Sequence, residues 1–366
     1  MILPPPTLGD ALAAAGLPRE AGAGGAGAAN AGGSPWYVRL LVGGLAWAAA
    51  LSVTGFLAAT GMIDEDAFAY WGTAAAAASI VLARRGPSDA DARGAVADFV
   101  AQLALVLSLL ARVLLVIGVG TWADGNQAVV GGAMVVLEIV LFIAYPDFLQ
   151  RFFASGLACC WLLVVLGEVD DVLFVAYARD IVTLLAAFGG AWLWIDRPRL
   201  LAGRLADYAT PAGYGLAVFV VGALLQETIA AFGRFLPGAR WPATAGLAIG
   251  VVLLLVWVRG RLGRPRVDAG AGVLIVLVAA LAYATRIEPG ILAAVGVLLL
   301  GFLARDGLLY GLGVVALGAT VWHFFYGMQE TMLVKSGILV AGGLVLLGGR
   351  WVWLRLAGDA AVSDDR

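Results

Sequence analysis

Six ionisable residues fall deep inside long apolar stretches of this chain: Arg112, Glu138, Arg179, Asp180, Glu227 and Lys335. Their signs balance, and the only histidine, His323, lies near the end of another apolar stretch. In a lipid-solvated bundle such charges must face protein or a water-filled cavity, where they could bind an ion, relay a proton or hold a small polar solute. They could equally form buried ion pairs, such as Arg112 with Glu138 on neighbouring helices, that set helix register. Each costs about 2.5–3.5 kcal/mol at mid-bilayer on insertion scales, so each is expected to find a partner. Arg179 and Asp180 diverge by about 100° on a helix, so at least two neighbouring helices must serve them.

Other chemistries lack their parts. One histidine excludes an intramolecular bis-His haem and any His-cluster metal site. No H-E-x-x-H, G-x-S-x-G or Walker A pattern occurs, and the Gly-rich stretches sit within apolar segments without phosphate-binding context. Cys159 and Cys160 are adjacent and point in different directions on a helix, so both are expected to pack rather than to bridge or to ligate a metal. No catalytic residue, cofactor or metal is expected, and the chain is not expected to be an enzyme.

The elements that must position these charges follow from composition. Of 366 residues 62% are hydrophobic and 13% charged, with a mean hydropathy of +0.95. A soluble domain carries about 25% charged residues, so lipid is the solvent for most of this surface. A net charge of -2 argues against a nucleic-acid partner, since no large basic face is available to displace counterions. A helix crossing ~30 Å of hydrocarbon needs about 20 apolar residues. On that measure twelve segments qualify, near 38–60, 67–83, 96–119, 127–145, 149–167, 172–195, 212–232, 243–259, 269–286, 289–304, 307–325 and 331–354. The expected fold is an all-α polytopic transmembrane bundle over 36–356, flanked by a flexible Ala/Gly-rich tail over 1–35 and a short tail over 357–366.

Charge in the gaps orients this bundle. Seventeen of the 23 Lys and Arg residues occupy alternate gaps and the two ends, among them Arg84, Arg85, Arg151, Arg197, Arg199, Arg204, Arg259, Arg261 and Arg305. The opposite gaps hold Asp124, Glu168, Asp170 and Asp171, with Arg234, Arg240 and Arg286 as basic exceptions. By the positive-inside rule both tails are cytoplasmic, which requires an even number of helices. Counting ~1.5 Å per residue from the helix ends then places the six charges in a layer in the outer half of the membrane, with His323 within reach. Trp36, Trp122, Trp241, Trp322 and Trp351 stand near segment ends as interfacial anchors. The pairs Gly131–Gly132, Gly189–Gly190 and Gly342–Gly343 allow close helix approach.

The stretch PWYVRLLVGGLAWAAAL (Pro35 to Leu51) resembles the start of the bacterial multipass membrane proteins grouped as domain-of-unknown-function family 4401. QLALVLSLLARVLL (Gln102 to Leu115), YPDFLQRFFASGLA (Tyr145 to Ala158) and PGILAAVGVLLLGFLAR (Pro289 to Arg305) look like later blocks. WHFFYGMQETMLVKSGILVAGGLVLL (Trp322 to Leu347) looks like the C-terminal block, including Lys335 and Ser336. The resemblance implies a multi-pass bacterial inner-membrane protein whose partner is a membrane-associated protein bearing the motif GDYXXLXY, encoded by a neighbouring gene. It supplies no catalytic residues. The expectation is therefore a membrane scaffold or subunit acting with that partner. The alternative is a secondary transporter or channel using the outer-half charges for an ion or small polar solute.

Overall fold

The computed structural model describes residues 67–85, 95–226, 241–261, 268–284 and 289–327, with scattered helical positions within 44–60 and 333–347. Among them the chain is helical throughout. Its helices are α1 (Phe68–Arg85), α2 (Ala95–Trp122), α3 (Gln127–Ala144), α4 (Phe148–Gly167), α5 (Val172–Ile195), α6 (Arg197–Leu201), α7 (Ala206–Gln226), α8 (Trp241–Arg261), α9 (Ala269–Ala284), α10 (Gly290–Ala304) and α11 (Gly307–Gly327). Six of these, α2 to α5, α7 and α8, are long and apolar enough to cross a membrane. Large apolar side chains such as Val136, Leu185, Leu253 and Phe302 face outward, as a lipid-solvated surface requires.

Short polar side chains start the helices. Asn126 accepts hydrogen bonds from the backbone N–H groups of Ala128 and Val129, Asp147 from Gln150, and Asp171 from Leu173 and Phe174. Each satisfies donors that the first turn of a helix leaves open, and the two aspartates also place negative charge at its positive end. Trp122, Trp241 and Trp322 are exposed at the ends of α2, at the start of α8 and near the end of α11, where interfacial anchors belong.

Packing is set by small residues. In lipid the helices gain nothing from hiding apolar surface, and close van der Waals approach decides which pairs form. The central helix is α7, rich in Ala and Gly, which packs on α4, α5, α10 and α11 and buries Ala209, Ala212, Ala217, Phe219, Ala223 and Leu224. Of the glycine pairs singled out by sequence, Gly131 lies against α4, where a Cβ would meet Val165 Cγ2 at 2.8 Å, whereas Gly132 faces open space. Gly342–Gly343 lies outside the described residues.

One segment differs from expectation. The stretch placed at 212–232 begins at Ala206, so Pro211 sits inside α7 rather than before it. Pro211 has no N–H to offer the Asp207 carbonyl one turn back. Arg151 supplies the missing donor, with Nη1 2.9 Å from that oxygen. The same guanidinium donates through Nε to the Phe142 carbonyl at 3.3 Å, whose natural helical partner would be the N–H that Pro146 lacks. Arg151 also lies over the Tyr208 ring, 4.0 Å from its centroid. The next carbonyls of α3 are taken by the Tyr208 hydroxyl at Ile143 and by Arg84 Nε at Ala144. Arg151, expected in a gap between helices, is instead a buried residue of α4 because it closes two helix backbones that prolines left open.

Arg151→Met is therefore expected to lower stability by about 1.5–3 kcal/mol, the worth of hydrogen bonds to a charged group. In a Pro211→Ala background the restored N–H takes the Asp207 carbonyl, and the same substitution should cost distinctly less. Thermal unfolding of the four proteins in detergent measures the coupling.

Candidate functional site

The buried charges separate into distinct groups. Between α2 and α3, Arg112 and Glu138 form a two-pronged pair, Nε to Oε1 at 2.6 Å and Nη2 to Oε2 at 2.8 Å. Glu138 is fully buried and Arg112 nearly so. The remaining guanidinium nitrogen, Nη1, donates to the Ser108 carbonyl at 3.1 Å and sits 3.4 Å from the Ser108 hydroxyl and 3.5 Å from Gln150 Oε1. Ser108 in turn donates to Gln150 Oε1 at 2.8 Å. Three helices are thus joined by one polar network, with Gln150 reaching in from α4. Fork-to-fork geometry of this kind is the strong form of the ion pair, and its full set of partners offsets much of the desolvation cost.

The charges of α5 serve other helices. Arg179 Nη2 lies 3.5 Å from the Ala223 carbonyl of α7. Asp180 accepts from the Ala243 N–H in the first turn of α8, at 3.3 Å, so this carboxylate caps a neighbouring helix across the bundle. The two adjacent residues thus serve two different helices. His323 is half-buried near the end of α11, a helix that packs on α10 and α7, whereas the Arg112–Glu138 pair lies between α2 and α3. Glu227 and Lys335 lie outside the described residues.

Polar groups also cluster at the Arg-rich end of the bundle. Asp306, in the two-residue link between α10 and α11, accepts from the Tyr214 hydroxyl at 2.6 Å and from the Leu309 N–H at 3.0 Å. Arg197 Nη1 is 3.3 Å from its other oxygen. Arg305, just before it, takes φ of 53°, a left-handed turn that lets the Asp306 N–H return to the Gly301 carbonyl and reverse the chain. Burial raises the Asp306 carboxyl, but the bonds from Tyr214 and Leu309 and the Arg197 charge outweigh it and hold it below the usual carboxylate range. Arg259, buried in α8, pairs with Asp268, whose other oxygen caps α9 at the Ala271 N–H.

Ser108 and Gln150 were not singled out by sequence. Ser108 lies one turn before Arg112 on the same helix face, and that spacing was the available signal. Gln150 carried none, because only the packing of α4 brings it to the pair. Cys159 and Cys160 are free thiols, with Cys159 packed against the apolar core and Cys160 exposed. Among the described residues no group of three or more His, Cys, Asp or Glu side chains could hold a metal ion.

The helices and their internally paired charges define an all-helical membrane protein. A family model described as Domain of unknown function (DUF4401) matches residues 35–356, and the chain belongs to that family. No curated protein and no solved structure matches it.

Glu138→Gln should destabilise the protein by about 3–5 kcal/mol, because it strands a buried guanidinium. Replacing both partners by leucine should restore most of that loss, and unfolding of the two variants in detergent separates the outcomes. The depressed Asp306 carboxyl stabilises the fold fully above its ordinary value of about 3.9, and this is lost as pH falls through its lower folded value. The fall in unfolding temperature over that acid range should therefore be smaller in Asp306→Asn than in the parent.

Proposed function

We propose that this protein is an inner-membrane scaffold or assembly subunit, with its Arg-rich end in the cytoplasm and a membrane-associated protein bearing the motif GDYXXLXY as its partner. The observation that carries the reading is the closed geometry of the buried charges. Arg112 and Glu138 spend their hydrogen-bonding capacity on each other and on Ser108 and Gln150. Asp180 caps α8. A solute-binding charge would be expected to line a polar cavity, and the cavity between α5, α7, α8 and α10 is lined by apolar residues instead. The basic residues Arg84, Arg197, Arg199, Arg259 and Arg261 gather at one end of their helices, which supports the cytoplasmic assignment of that end.

Under this reading Glu138→Gln and Asp180→Asn lower the abundance of the protein in the membrane and the recovery of its captured partner together. Normal abundance combined with loss of a proton- or solute-dependent flux in vesicles would instead favour a secondary transporter or channel. A reporter active only outside the cytoplasm, fused after Ser363, should be silent, and activity there would overturn the orientation.

A further inference from the structure

The cavity between α5, α7, α8 and α10 has a volume of about 350 Å³. Four glycines, Gly190, Gly213, Gly250 and Gly296, are among the residues that line it, one from each helix. Along α5 its wall runs from Ala186 to Ile195, about 14 Å at 1.5 Å per residue. That is roughly half of the ~30 Å hydrocarbon layer, the depth of one leaflet. At about 30 Å³ for each water-sized group, the space accommodates roughly a dozen methylenes. Phe188 of α5 and Leu253 of α8 both line the cavity and are exposed on the outer surface, so it is open sideways towards lipid.

The polar features all lie at its Arg-rich end. Trp194 lines the cavity, is 5% exposed, and has a buried Nε1–H with no acceptor. Nε1 packs against Gly213 of α7, where a Cβ would lie 2.8 Å from it. The Trp194 ring carries Arg197, with the guanidinium 4.8 Å from the centroid. Across the cavity Trp257 carries Arg261 in the same way, at 4.6 Å. Two guanidiniums, each stacked on a tryptophan of the cavity wall, thus frame one end of a slot with apolar walls. Arg in this position favours a phosphate oxygen.

We infer that this cavity is a binding site for one acyl chain of an anionic glycerophospholipid from the leaflet at the Arg-rich end. The chain lies between α5 and α8, and its phosphate meets Arg197 and Arg261. The site does not include Arg112, Glu138 or Asp180, on whose closed geometry the scaffold reading rests, so either can fail without the other.

The test uses the full chain, purified and delipidated in detergent, and titrated with phosphatidylglycerol brominated along one acyl chain. Tryptophan quenching reports affinity and native mass spectrometry reports stoichiometry. One tightly held lipid per chain is expected. A Cβ at Gly296 meets only ordinary contact, with Val251 Cγ2 at 3.8 Å, so Gly296→Leu should fill the slot without lowering the unfolding temperature. It should weaken binding at least tenfold. Arg261→Gln should weaken phosphatidylglycerol more than phosphatidylcholine. That headgroup comparison decides the matter if Gly296→Leu fails to fold. Unchanged binding in Gly296→Leu, or equal effects of Arg261→Gln on both headgroups, overturns the assignment.

Discussion

Inside a bilayer no water comes to the aid of a stranded carbonyl, guanidinium or carboxylate, and every such group must find its partner within the protein. The fold answers that constraint at several joints between its helices. Arg151 is the plainest case. Pro146, in the link after α3, and Pro211, inside α7, each lack the N–H that a helix carbonyl would take, and one side chain of α4 returns a donor to both exposed carbonyls. The arginine thereby ties α3, α4 and α7 together at the Arg-rich end. Asp306, Tyr214 and Arg197 join α6, α7 and the link between α10 and α11 there by the same logic.

Deeper in the bundle the constraint takes an ionic form. A lone guanidinium on α2 would be prohibitive in hydrocarbon, and a lone carboxylate on α3 likewise. Together, with Ser108 and Gln150 completing the network, Arg112 and Glu138 hold α2, α3 and α4 in one register. Asp180 acts on another scale, lending its charge to the first turn of α8. The charges are thus distributed to the joints between helices, each serving its own contact. The polar layer expected in the outer half divides into local attachments among the described residues, rather than forming one open chamber.

Much of this architecture could be read from sequence. Apolar length placed α1 to α5 and α8 to α11 within a few residues, because hydrocarbon thickness sets helix length directly. The start of α7 was missed because Pro211 ordinarily begins or breaks a helix, and only a donor from elsewhere in the fold allows it inside. The Arg112–Glu138 pair was accessible, since opposite charges buried on neighbouring segments have few other partners. Gln150 was not, being indistinguishable from any polar residue near a helix start until α4 is packed. The short helix α6 was also absent from expectation, its Arg- and Pro-containing sequence having no apolar signal.

By itself, then, the sequence determined that this chain lies in a membrane, where most of its helices run, which end is basic, and which charges had to be paired. These follow from solvent, since transfer of each residue between water and lipid is a property of that residue and its immediate neighbours. The tertiary structure decided which partners are chosen, that a gap arginine would be buried to rescue two prolines, and that four helices would leave a leaflet-deep cavity among them. Those outcomes depend on how helices meet. In lipid that meeting is governed by close van der Waals fit and long-range hydrogen bonds, neither of which is written in any one segment.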